Sequence, residues 1–152
     1  MILALNFKDI TRILIPTDGS DSSMRAAEYG INVAKMLGAQ IMVVYVIDSV
    51  VLDEARPLFK VGEHEDVELK LKQAGQRYIN YVLGLAEKQG VKAASSIAKG
   101  RPFDVIVHLA EDSNVNLIVM GTHGRRGSDR ILIGSVAERV IEYSPCPVLV
   151  VK

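Results

Sequence analysis

Hydrophobic positions along the chain fall into two alternating rhythms. Ile13-Leu14-Ile15 is a short continuous apolar run closed by Pro16, and Ile41-Met42-Val43-Val44-Tyr45-Val46-Ile47 is a longer one. Leu117-Ile118-Val119-Met120 stops at Gly121, and Val148-Leu149-Val150-Val151 follows Pro147. Runs without polar interruption and rich in β-branched residues predict strands covered on both faces, as in parallel sheets. Residues 91–97 are a weaker fifth candidate. Between these runs, apolar residues recur every three or four positions. Met24, Ala27, Ile31 and Ala34 predict a helix ended by Gly38; Leu71, Ala74, Tyr78, Val82 and Leu85 predict a second, stopped near Gly90. Pro102 opens a third that carries Phe103, Ile106, Val107 and Ala110. Ile133, Val136, Ala137, Val140 and Ile141 form a last apolar face closed by Pro145. Gly75 and Gly84 inside the second helix each cost about 1 kcal/mol relative to alanine, so that helix is expected to depend on packing.

Strand and helix alternate throughout, which predicts an α/β fold: one open five-stranded parallel sheet, Rossmann-like, with helices on both faces and right-handed crossovers. No repeat or linker divides the chain, so a single domain over residues 1–152 is expected. Residues 49–64 are the longest stretch without an element, to be read either as a functional lid or as a surface connection.

Composition narrows the partners. With 152 residues, 49% hydrophobic and 24% charged, the chain is long and apolar enough to bury one core, and disorder is excluded. Lys+Arg and Asp+Glu are 18 each, so there is no basic excess for nucleic acid or an anionic membrane surface, and neither is an expected partner. The lone Cys146 has no internal disulfide partner and is expected to be a small buried core residue in a reducing compartment. No apolar run approaches the roughly 20 residues needed to span a bilayer. Residues 1–7 are apolar but lack a basic leader and are soon interrupted by Asp9, so a cytoplasmic location is expected.

In open parallel sheets, ligands bind beyond the carboxyl ends of the strands where the winding reverses. Two strand ends here carry unusual residues: Pro16-Thr17-Asp18-Gly19-Ser20, and Gly121-Thr122-His123-Gly124-Arg125-Arg126-Gly127-Ser128 continuing to Gly134-Ser135. The second reads as an anion cradle. Glycines let backbone amides approach a ligand closely, and Gly134-Ser135 falls at a helix start, where unpaired amides and the dipole favour phosphate. Three or four bonds of about 1.5–3 kcal/mol to charged oxygens, with a buried base, reach about −8 kcal/mol, or micromolar affinity. Tight turns alone also explain such glycines. The Walker G-x-x-x-x-G-K-[ST] and dinucleotide G-x-G-x-x-G patterns are both absent. Asp18 or Ser20 is also suited to capping the first helix. Arg125 and Arg126 either neutralise phosphate or stay solvated. His64, His108 and His123 lack metal-ligand spacing, so no protein metal site is expected. Tyr78 and Tyr81 are expected to pack.

Gly121-x2-Gly124-x9-Gly134-Ser135 matches the G-x2-G-x9-G-[ST] signature of the ATP-binding branch of the universal stress protein family. Ile15-Pro16-Thr17-Asp18-Gly19-Ser20, Val44-Tyr45-Val46-Ile47-Asp48, Gly100-Arg101-Pro102 and Ser144-Pro145-Cys146-Pro147-Val148-Leu149-Val150-Val151 also resemble that family, over nearly the whole chain. Asn116 departs from its usual aspartate, away from the expected site. The resemblance implies strand order 3-2-1-4-5 and a bound ATP, accompanied by Mg²⁺ held mainly by phosphate oxygens and water. It implies that Asp18 accepts from ribose hydroxyls and that Pro16, Thr17 and Val46 border the adenine. Met120 and Gly121 would lie under the nucleoside, and Gly124, Gly134, Ser135 and Val136 would hold the phosphates.

No nucleophile–histidine–acid grouping is legible, so no catalytic residue is assigned. Asp129 is the one carboxylate on the glycine loop and nothing marks it as a base. A regulatory ATP-binding module with slow or absent hydrolysis is therefore expected. The alternatives are a dimeric interaction protein of this fold that does not bind nucleotide, and an adenylating enzyme, which needs more domains than this length holds. The uncovered last strand is expected to pair with its equivalent in a homodimer, unless the apolar N-terminal segment covers it.

Overall fold

The structure, a computed structural model, describes residues 6–124 and 133–152. In chain order the elements are β1 (Arg12–Pro16), α1 (Asp21–Leu37), β2 (Gln40–Asp48), α2 (Ser49–Ala55), α3 (Glu63–Lys88), β3 (Ala93–Gly100), α4 (Pro102–Asp112), β4 (Leu117–Gly121), α5 (Ser135–Tyr143) and β5 (Val148–Val151). Short 3₁₀ turns lie at Phe7–Asp9 and Arg56–Leu58. The strands form one five-stranded sheet in the order β3-β2-β1-β4-β5, with every neighbouring pair parallel. Class and strand order are those expected.

Strand alternation sorts the sheet's side chains into two cores. Ile13, Ile15, Ile41, Val43 and Val119 pack with Ala27, Ile31, Ile79 and Val82 of α1 and α3. Leu14, Val44, Ile118 and Met120 face the other way, onto Ile106, Ala110, Ala137 and Val140 of α4 and α5. Strands β1, β2 and β4 read as unbroken apolar runs because both faces are covered. At the edge, β3 is only partly buried and reads Ala-Ala-Ser-Ser-Ile-Ala-Lys-Gly, hence its weak signal. Helix ends follow local chemistry: Gly38 takes the left-handed conformation (φ 68°) that closes α1, and Pro102 stands first in α4. Asn116 lies far from the strands' carboxyl ends. Its Oδ1 accepts from the Thr11 and Arg12 amides, at 2.9 Å each, beside the start of β1.

Five expectations need correction. Residues 49–64 are mostly ordered into α2, the Arg56–Leu58 turn and the start of α3. Asp48 Oδ1 caps α2 by accepting from the Val50 and Val51 amides at 3.0 and 3.4 Å, and Leu52 is buried. One short helix with one buried residue leaves no periodic trace. Helix α3 begins at Glu63, well before Leu71, because its first turns carry Glu63, Glu65 and Asp66 at the positive end of the dipole in place of an apolar stripe. Ile133 precedes α5 and is exposed, and Tyr81 is also exposed, on the outer side of α3. Cys146 is half-buried; it packs against the α4–α5 core, and its thiol pKa is pushed up by burial, partly offset by a hydrogen bond with Ser144. Residues 1–5 lie outside the described residues, and with them the expectations placed on the N-terminal apolar segment as leader or edge cover.

Candidate functional site

Strands β1 and β4 are neighbours in the sheet (Ile13 opposite Leu117, Leu14 opposite Ile118), so the segments that follow them meet at one crevice. From β1, the Thr17 amide continues the ladder to the Val44 carbonyl at 2.9 Å. Asp18 Oδ1 then accepts from the Ser20 amide at 2.9 Å, and Gly19 turns the chain with φ 79°. The Tyr78 ring of α3 occupies the space where a Cβ on Gly19 would lie. Ser20 is the cap of α1, its hydroxyl accepting from the Ser23 amide at 3.3 Å, so Asp18 is left to shape the turn before it. The buried Thr17 hydroxyl contacts Ser23 Oγ at 3.2 Å and is thus committed to this helix entry.

From β4, residues 121–124 run directly above this turn. A Cβ on Gly121 would meet Ser22 Oγ at 2.5 Å and the Ser23 amide nitrogen at 2.8 Å, so only glycine lets α1 start this close to β4. A Cβ on Gly124 would lie 2.8 Å from Asp18 Oδ2. The Gly134 amide donates to the Thr122 carbonyl at 2.6 Å, and a Cβ there would come 3.0 Å from that oxygen and 3.8 Å from the Gly124 nitrogen. The two glycine patches therefore converge beside the carboxylate that follows β1. Because Gly134 is the cap residue of α5, no side chain caps the first-turn amides that begin at Ser135 and Val136. With its own amide spent on Thr122, Gly134 contributes closeness of backbone to this cradle in place of a donor.

Pro16, Val46 and Met120 share the sheet face turned towards α4 and α5, as strand alternation requires. Met120 is buried in that core, while Val46 and Val136 are partly buried against it. Sequence reasoning did not find Ser22, whose hydroxyl donates to the His123 carbonyl at 2.5 Å, nor Tyr78 as the lid over Gly19. The serine cluster Ser20-Asp21-Ser22-Ser23 was a visible signal for the first; nothing local signals a tyrosine so far along the chain. Arg125, Arg126, Gly127, Ser128 and Asp129 lie outside the described residues. Among the described residues, no cluster of three histidine, cysteine or acidic side chains is placed to hold a metal, and no helix is long and apolar enough to cross a membrane.

An open parallel α/β sheet with a glycine-built cradle at its switch point defines the class. The universal stress protein family model matches residues 9–152, and the chain belongs to that family. It is 45% identical over 141 residues to Universal stress protein MJ0531 of Methanocaldococcus jannaschii, covering 93% of this chain and 81% of that protein. It is 33% identical over 152 residues to MJ0577 of the same organism, covering 93% of this chain and 94% of that protein. The solved structure of MJ0577 superposes with a TM-score of 0.81 at 31% identity, over 94% of this chain and 96% of that one. A universal stress protein solved in complex with cAMP superposes with a TM-score of 0.65 at 25% identity, over 93% and 96% of the two chains.

Proposed function

We propose that this protein is an ATP-binding universal stress protein: a single nucleotide-binding domain that regulates by occupancy, with slow or absent hydrolysis. The observation that carries the reading is the contact between the Gly124 position and the Asp18 carboxylate, with Gly134 packed against the same segment. Each of these glycines stands where a side chain would fill the cradle, which is the space a phosphate chain needs. The residues present fit an adenine nucleotide. Pro16, Val46 and the backbone of Thr17 would border the base, and Asp18 would accept from the ribose hydroxyls. Met120 and Gly121 would lie beneath the nucleoside, and the amides of Gly124, Ser135 and Val136 would bind phosphate oxygens. Mg²⁺ would be held by those oxygens and water. A relative of the same fold in complex with cAMP supports an adenine nucleotide as the ligand class.

The test is whether protein purified without added ligand releases a nucleotide on denaturation, read by ion exchange, together with calorimetry against ATP. Gly134→Asp is the control. It brings a carboxylate towards the Thr122 carbonyl and the cradle, and ATP binding should fall by more than about tenfold. Micromolar binding retained by that variant would overturn the assignment. For turnover, a vigorous single-turnover hydrolysis lost on Asp129→Ala would overturn the regulatory reading. We also propose a homodimer through β5, the edge strand, where Leu149 is exposed (38%).

A further inference from the structure

Two hydroxyls at the entry of α1 converge on a carbonyl outside their own turn. Ser22 Oγ donates to the His123 oxygen at 2.5 Å, and Ser20 Oγ donates to the same oxygen at 3.3 Å. Ser22 is buried at 7% exposure, and a hydroxyl has one proton to give, so its donor is wholly committed to this bond. The missing Cβ of Gly121 is what admits it. No peptide bond among the described residues is cis, so each carbonyl points opposite to the N–H that follows it. Anchoring the His123 oxygen on α1 therefore turns the Gly124 amide away from α1. Glycine at 124 places no Cβ in the way of the opposite orientation, so the hydroxyl bond selects between the two.

We propose that Ser22 is a positioning residue for anion recognition: through the His123 carbonyl, its hydroxyl presents the Gly124 amide to the phosphates of the bound nucleotide. This rests on the nucleotide reading above. Ser20 is secondary, because its bond is longer and its oxygen also caps α1.

The test compares wild type with Ser22→Ala by calorimetry against ATP and against adenosine, and by the ¹⁵N–¹H resonance of Gly124. In wild type that resonance should move on adding ATP and stay put with adenosine. In Ser22→Ala, ATP affinity should fall roughly 10- to 100-fold, the range of one hydrogen bond to a charged oxygen, with adenosine affinity within about twofold. A merely structural role would weaken both ligands together. Parallel loss, unchanged ATP affinity, or a wild-type Gly124 resonance unmoved by bound ATP would each overturn the positioning role; the last needs no variant and holds even if Ser22→Ala fails to fold. Wild type binding neither ligand refutes the nucleotide reading itself, and this role with it.

Discussion

Single glycines carry much of this site, and each does so for its own reason. Gly121 is demanded by the start of α1, Gly124 by a carboxylate, and Gly134 by a carbonyl. Gly121→Ala would force a methyl against Ser22 and its backbone; it should destabilise the fold by about 1–3 kcal/mol, read as a lower denaturant midpoint. An unchanged midpoint would mean that α1 can slide away from β4 at no cost. At an exposed position, His108 reports a local field. The backbone carbonyl of Asp104 at 2.8 Å, and then its carboxylate, raise the His108 pKa above the usual 6.5. Because the folded value is the higher one, this pair stabilises the fold below about pH 6.5 and the benefit is lost as pH rises through the folded pKa. An NMR titration should find the pKa above 6.5, lowered but not restored by Asp104→Asn, since the backbone bond remains. A wild-type value at or below 6.5 would contradict the geometry.

Among the helices, α3 offers a matched pair of substitutions. Gly75 lies where an added Cβ would run into the Tyr45 ring, whereas Gly84 faces open space. Gly84→Ala should stabilise by about 1 kcal/mol through helix propensity alone. Gly75→Ala should destabilise by about 1–3 kcal/mol through overpacking, despite the same gain. Thermal midpoints moving in the same direction would show that Tyr45 yields freely. This pair also marks how far the sequence could be read. The cost of both glycines in a helix was legible from the chain alone, as were the buried strands, because continuous apolar runs follow directly from a sheet covered on both faces. Which glycine is compensated depends on a ring from β2 and was not legible. Helix α2 was hidden for a related reason: its stability comes from the Asp48 cap and one buried leucine, not from a stripe. At the site, the glycine spacing and Asp18 were legible as a motif. Ser22 and Tyr78 act through contacts that only the folded chain creates.

Over the whole molecule, two faces are closed by helices while β3 and β5 remain as sheet edges. If β5 joins copies, Leu149→Asp should convert the dimer to a monomer in sedimentation at micromolar concentration, with the thermal midpoint of the monomeric fold little changed. A wild-type protein that sediments only as 16.6 kDa would dismiss the dimer. The sheet is not uniformly laced. β2 and β3 pair over eight positions, whereas β1 and β4 pair over two. That short seam joins the polypeptide's leading three strands to its trailing two, and the proposed cradle takes Asp18 from one side and Gly124 from the other. A molecule lodged there would act as a fastener across the shortest of the sheet's pairings, making occupancy and rigidity one event: amide hydrogen exchange along β1 and β4 would slow when it arrives and quicken when it leaves.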